Sequence, residues 1–163
     1  MDSHAQLFYA LKKDPVRLIV NQQHPELVVV LSDAKEGTAV GVEKRHSPST
    51  NQEKWNIHPV SSAVDQHESR FYIQNKSTGT YANVENKSFD VNQEVVGSSE
   101  KVAWFIKQSQ REGLISAYHI SHNENGLFWS LENSSSNSKE PNWVIKLSND
   151  KDSGKCDWLL KSE

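Results

Sequence analysis

Cysteine is nearly absent from this chain: Cys156 stands alone among 163 residues. One thiol cannot build an intramolecular disulfide framework, so stability must come from a packed core, for which the length is sufficient. No apolar run approaches the length that crosses a membrane, which argues against membrane insertion. The opening Met1-Asp2-Ser3-His4 lacks the charged and apolar regions of a secretion signal. With the lone thiol, that gives the expectation of a reducing cytoplasm. An excess of either charge is also missing. Eighteen Lys and Arg face twenty-one Asp and Glu, for a net charge of −3, so no nucleic acid or anionic surface is expected as a partner. A helical period is missing as well, and no long segment is expected to be a helix. No glycine-rich phosphate loop, zinc-ligand spacing or paired-carboxylate pattern is present, so no catalytic residue, metal or cofactor is expected and the chain is not read as an enzyme. Asn75-Lys76-Ser77, Asn86-Lys87-Ser88 and Asn133-Ser134-Ser135 match the glycosylation pattern and are read as chance matches.

What is there is a repeat. Lys54-Trp55-Asn56-Ile57, Ala103-Trp104-Phe105-Ile106 and Asp157-Trp158-Leu159-Leu160 end three similar stretches, with the tryptophans 49 and 54 residues apart. The starts correspond too. Arg17-Leu18-Ile19-Val20-Asn21, Phe71-Tyr72-Ile73-Gln74-Asn75 and Ala117-Tyr118-His119-Ile120-Ser121 each lead through a turn into a second strand. Those second strands contain Leu27 to Ser32, Tyr81 to Val84 and Leu127 to Leu131. The segments alternate with period two and are rich in β-branched and aromatic residues. Gly79 and Gly126 suit hairpin turns that need positive φ. Pro15, Pro25, Pro48, Pro59 and Pro141 fall where strand edges or loops are expected. Three copies of four strands can close into a barrel and so remove exposed strand edges. The expectation is one all-β domain over 1–163, a β-trefoil with pseudo-threefold repeats at about 8–60, 69–109 and 114–161. Leu27, Val29 and Leu31, and Leu127, Trp129 and Leu131, are expected to point inward. Trp55, Trp104 and Trp158 are expected to anchor the copies as core residues, and so to identify the fold rather than a ligand.

The chain resembles the ricin-B-like β-trefoil lectins, whose repeats end in Gln-x-Trp, and is most similar to the small cytoplasmic lectins of fungal fruiting bodies. Asn51-Gln52-Glu53-Lys54-Trp55 carries the resemblance best. Glu53, Val102 and Cys156 stand where the motif has Gln. The resemblance implies a sugar site with an Asp at the end of the second strand and an aromatic ring on the third. It puts Val30, Asn83 and Ser130 at the Asp positions and Glu43 at the first copy's aromatic position. The standard constellation is therefore absent, and Asn83 alone offers comparable hydrogen bonding. Some fungal relatives bind glycans in one copy only, near the loop before its Trp. Carried over, that implies a non-standard site of Tyr81, Asn83, Glu94, Lys101 and Val102 in the second copy. Tyr81 and Asn83 share a strand face. The bland reading of those positions is an ordinary solvated strand face. The implied function is glycan or glycoprotein binding in defence. The alternative is a loop-based inhibitor of cysteine or aspartic proteases, with His46 to Thr50 and Ser134 to Asn137 as candidate loops.

Other residues carry weaker expectations. Val28 and Val30 should point outward and be covered by the hairpin cap rather than form a patch. Phe128 should also face outward. Trp143 is expected to be buried in the core. His119 and His122, three apart, should face opposite sides of a strand. Cys156, between Lys155 and Asp157, is read as a spare thiol in a surface loop.

Overall fold

The computed structural model describes residues 3–60, 70–109, 116–122, 126–133 and 142–162. Among the described residues, twelve strands follow one α-helix. The first copy holds β1 (Val16–Asn21), β2 (Leu27–Val30), β3 (Gly41–Lys44) and β4 (Trp55–Pro59). The second holds β5 (Arg70–Asn75), β6 (Tyr81–Val84), β7 (Val95–Ser98) and β8 (Trp104–Gln108). The third holds β9 (Tyr118–Ser121), β10 (Phe128–Asn133), β11 (Trp143–Ser148) and β12 (Trp158–Lys161).

The first and fourth strands of each copy close a six-stranded antiparallel barrel. β1 pairs β4, β4 pairs β5, β5 pairs β8, β8 pairs β9, β9 pairs β12, and β12 returns to β1. Closure leaves no barrel edge unpaired. The middle strands form three hairpins, β2–β3, β6–β7 and β10–β11. These meet one another through β3–β11 pairing and through single bridges at Ala39–Val96 and Glu94–Lys146. The pseudo-threefold arrangement expected from the tryptophan spacing is what these pairings build.

The core follows the alternation. Val29 and Leu31 are fully buried, as are Ile57, Ile73, Ile106, Ile120, Ile145 and Leu147. Trp55, Trp104 and Trp158 are buried completely and play one role three times. Each indole Nε1–H donates to a carbonyl on the second strand of its own copy: Trp55 to Val29 at 2.9 Å, Trp104 to Ala82 at 3.0 Å and Trp158 to Trp129 at 3.0 Å. Barrel and hairpin are thus tied within each copy. Asparagines tie one copy to the next. Asn75 Nδ2 donates to the Gln52 carbonyl of the first copy, and Asn21 Nδ2 donates to the Lys155 carbonyl of the third. Each also turns its own hairpin, accepting the backbone N–H two residues on. In the third copy the corresponding place opposite Trp104 falls to His122, which stacks on Phe89 at 3.6 Å.

Four features differ from the sequence expectations. Ser3–Lys13 is an α-helix, α1. Its Leu7, Phe8 and Leu11 form a short buried stripe that packs against β4 and β8. Three apolar contacts in a short segment make too weak a period to stand out, and packing rather than propensity holds such a helix. Arg17 secures its C-terminus by donating to the Asp14 and Ala10 carbonyls. Val28 and Val30 are buried as expected, but they share a second apolar cluster with Leu18, Val20 and Leu159, so β1 and β12 contribute to their cover. Phe128 is only 5% exposed, with its ring edge-on to His119. Cys156 and Asp157 are completely buried rather than on a surface loop. The 3-10 turn at Gly154–Cys156 folds them under the barrel, where Asp157 accepts from the Ser109 hydroxyl and lies 3.1 Å from His119 Nε2. No helix among the described residues is long and apolar enough to cross a membrane.

Replacing Trp158 by Phe removes a donor and leaves the Trp129 carbonyl buried without it. The expected loss is about 2–4 kcal/mol in urea unfolding, with Trp55→Phe and Trp104→Phe costing comparable amounts. A cost under about 1 kcal/mol in any copy would show that its hairpin is held by other means.

Candidate functional site

The outer face of the β6–β7 hairpin carries a polar concavity. Ala82 and Val84 turn into the core, so alternation places Tyr81 and Asn83 outward. Across the ladder, Tyr81 faces Ser98 and Asn83 faces Val96. The turn after β6 and the loop after β7 rise beside this face and enclose a cleft of about 630 Å³. Val96 contributes an apolar patch, with Asn86, Lys87, Ser99 and Glu100 around it. The hairpin tip of the first copy supplies the last wall, Glu36 and Gly37.

The charges in the cleft are organised. Lys87 Nζ meets Glu100 Oε1 at 2.6 Å. Glu36 Oε1 accepts from the Ser99 backbone N–H at 2.9 Å and from its hydroxyl at 3.3 Å. Hydrogen bonds from the Ser98 hydroxyl and the Ser99 amide hold the Glu36 carboxyl below its ordinary range, with Lys87 adding attraction. Asn86 and Lys87 both adopt positive φ, 55° and 54°. Two consecutive non-glycine residues in that region carry a conformational cost, smaller for Asn86 than for Lys87.

None of the five expected residues lines the cleft. Tyr81 and Asn83 lie on the strand beside it, and Lys101 follows Glu100 on the loop after β7. Lys101 Nζ stands 4.7 Å over the Tyr72 ring, and Tyr72 meets Tyr81 edge-on at 6.3 Å. Neither tyrosine is among the residues that line the cleft. Asn83 is 5% exposed. Its Nδ2 donates to the Glu100 carbonyl at 2.9 Å and its Oδ1 accepts from Val84 N–H, so it shapes the loop bearing Glu100. Val102 packs against the core instead. Glu94 lies beyond the far end of β7, bridged to Lys146. Glu36, Asn86, Lys87 and Glu100 were not among the expected residues. Glu36 reaches the cleft across 63 positions of sequence, a proximity that only the meeting of hairpins creates.

The family's Gln position in the first copy holds Glu53, buried at 1% exposure. Its carboxylate accepts from the backbone N–H of Thr50 at 3.0 Å and of His46 at 3.1 Å, with His46 Nδ1 at 3.3 Å. The candidate inhibitory loop His46 to Thr50 is therefore latched from within. The other, Ser134 to Asn137, lies outside the described residues. Burial raises the Glu53 pKa, but the Thr50 and His46 hydrogen bonds outweigh it and the net shift is downward. Burial pushes the Cys156 thiol up to about 11, and its Sγ contacts the Asp150 carbonyl at 3.4 Å. Such a thiol is a core residue rather than a nucleophile.

A closed six-stranded barrel capped by three hairpins defines a β-trefoil. The family described as ricin-type beta-trefoil lectin domain-like matches residues 50–145, and the chain belongs to it. Solved structures agree on the fold. The ricin B-like lectin of Macrolepiota procera, in complex with lactose, superposes with a TM-score of 0.69 at 16% identity, covering 91% of this chain and 95% of that one. The Rhizoctonia solani agglutinin gives 0.69 at 20% identity, covering 91% and 94%. A designed three-fold symmetric protein, ThreeFoil, gives 0.69 at 14% identity, covering 92% and 100%. Among curated proteins, no sequence matches.

Two outcomes follow from the buried acids and thiol. The Glu53 carboxyl is depressed in the folded state, so its contribution is present above the ordinary glutamate range and is lost as pH falls through the folded value. Melting temperature measured from neutral pH down to pH about 3 should fall less steeply in Glu53→Gln than in the parent. Parallel curves would show that the latch is not charge-dependent. Ellman's reagent should leave the native protein unlabelled and react with one equivalent of thiol once denaturant is added.

Proposed function

We propose that the protein binds carbohydrate through the outer cleft of its second copy, a non-standard site for the family. One observation carries this reading: carboxylate, ammonium, amide and hydroxyl groups from two loops and a neighbouring hairpin tip converge on one cleft beside Val84 and Val96. A sugar presents hydroxyls that both donate and accept, together with an apolar C–H face. Glu36 and Glu100 would accept from hydroxyls, Lys87 and Asn86 would donate, and Val84 with Val96 would lie against the C–H face. Asn83 and Lys101 act here as supports, one fixing the Glu100 loop and the other seated on Tyr72.

In this reading the carboxylate that the family takes from the end of the second strand is replaced. Asn83 at that position is turned to the backbone, and acidic groups arrive from the loop after β7 and from the neighbouring copy. Membership of a lectin-type family supports the ligand class, and the lactose held by the Macrolepiota procera lectin is an example of it. The loop-borne inhibitor alternative draws no support from the family match.

A glycan array probed with the full chain should show saturable binding to a restricted set of glycans. Lys87→Ala and Glu100→Gln should each weaken the best of them about tenfold or more in calorimetric titration, as loss of a charge-assisted hydrogen bond does. Silence across the array would remove the reading. Binding indifferent to both substitutions would move it away from this cleft.

A further inference from the structure

We propose that His122, contributed by the third copy, is a positioning residue for the second-copy cleft and holds its loop in shape only while the imidazole is uncharged. The cleft then loses its ligand as the surroundings turn acid. The inference deepens the carbohydrate-binding reading of that cleft and rests on it for the ligand alone.

The loop from β6 to β7 needs support. Asn86 and Lys87, which wall the cleft, both hold positive φ, a conformation that side chains disfavour. The pair between Lys87 and Glu100 is exposed on both sides, and such pairs stabilise little. The far end of the loop is fixed by backbone. Asn92 N–H donates to the Leu147 carbonyl at 2.8 Å, and Leu147 N–H donates to the Gln93 carbonyl at 2.9 Å. Between Lys87 and that end, Phe89 packs against the core and roots the loop there. Its ring lies 6.1 Å from Trp104, edge-on, and 3.6 Å from His122, with the two planes within 18° of parallel. Lys87 is two residues from this stack, so the seat of Phe89 governs the cleft wall.

The stack suits a neutral imidazole. His122 Nδ1 is buried and has no hydrogen-bond partner among the described residues. A neutral ring leaves that atom as an unpaired acceptor. An imidazolium must place a charged N–H there without an acceptor, which costs far more. Attraction between an imidazolium and the Phe89 face does not supply the acceptor. Charged groups on the surrounding elements are Glu85, Lys87 and Asp90 on Phe89's loop, Glu100 and Lys101 before Trp104, and Lys107 on β8. Asp90 accepts from the Ser88 hydroxyl, and Lys101 and Lys107 lie over Tyr72 and Phe105. None of the six makes a hydrogen bond to His122 Nδ1. Glu124, on His122's own segment, lies outside the described residues. Burial holds the His122 ring below the ordinary histidine range. With the folded value depressed, the loop's order is complete above the ordinary value and is lost as pH falls through the folded one. On protonation the ring leaves the stack to be solvated, and Phe89 loses the cover that seats the loop.

NMR of the isotope-labelled full chain tests this between pH about 7.5 and about 5, a window above the ordinary carboxylate range. The His122 ring should titrate below the ordinary histidine value, and the Asn86 and Lys87 amides should shift with the same midpoint. Hydrogen exchange at those amides, corrected for intrinsic rates, should be about tenfold faster at the acid limit. In His122→Phe, which keeps a ring on Phe89 and takes no proton, the loop amides should stay constant throughout. His122→Gln, neutral as well, should show the same constancy if the larger ring disturbs the fold. His122→Ala should exchange fast at both limits. The glycan array repeated at the two limits should lose about fivefold or more of its signal for the parent and keep it for His122→Phe. Loop amides that ignore the His122 midpoint, a midpoint above the ordinary value, or acid sensitivity retained in His122→Phe overturns the inference. Glycan binding that stays constant with pH while the loop moves also overturns it. A silent array removes the carbohydrate reading of the cleft, and the loop amides still decide whether His122 shapes it.

Discussion

The structure depends on one interaction made three times: an indole N–H donated across the interior to a strand carbonyl. A tryptophan opening the fourth strand of a copy is anchored in the barrel wall by its backbone pairing and in the hairpin by its Nε1. Both ends of that bond are buried, so neither group can fall back on water if it breaks. The ring adds a large apolar area to the same place, and Trp104, Trp129 and Trp158 meet edge-on in the middle of the core. The hairpins cannot slide or lift without losing both contributions, which gives their outer faces a fixed geometry on which loops can be elaborated.

Once the copies are held this way, each is free to differ outside. The asparagines at the ends of β1 and β5 show the transition. Asn21 and Asn75 preserve the same pair of hydrogen bonds, whereas the third copy has His122 and an aromatic stack on Phe89. At the family's Gln position the three copies have diverged completely: a buried carboxylate that latches a loop, a valine that joins the core, and a buried thiol. The hairpin faces have diverged further, and only the second bears the cleft walled by Glu36, Lys87 and Glu100.

The fold was legible because its signals are local and repeated. Tryptophan spacing, period-two alternation and turn residues recur in three registers, and any one copy corroborates the others. The helix Ser3–Lys13 was not legible, since its buried face is only Leu7, Phe8 and Leu11 and it is held by tertiary contact. Cys156 and Asp157 misled for a related reason: charged neighbours suggested a surface, but a 3-10 turn tucks both inside, where Ser109 and His119 meet the carboxylate. The cleft itself was not legible: none of its lining residues follows from the repeat pattern. Tyr81 and Asn83 sit on the strand beside it, and Val102 turns inward against the core. Glu36 had no local signal at all, since its place is set by two hairpins meeting.

The most direct measurement is a crystal structure of the protein soaked with its best-binding glycan. The account predicts a sugar on the outer face of β6–β7, with hydroxyls within hydrogen-bond distance of Glu36 or Glu100 and of Lys87. A glycan bound instead at the end of a second strand in the first or third copy, over Val30 or Ser130, would contradict it.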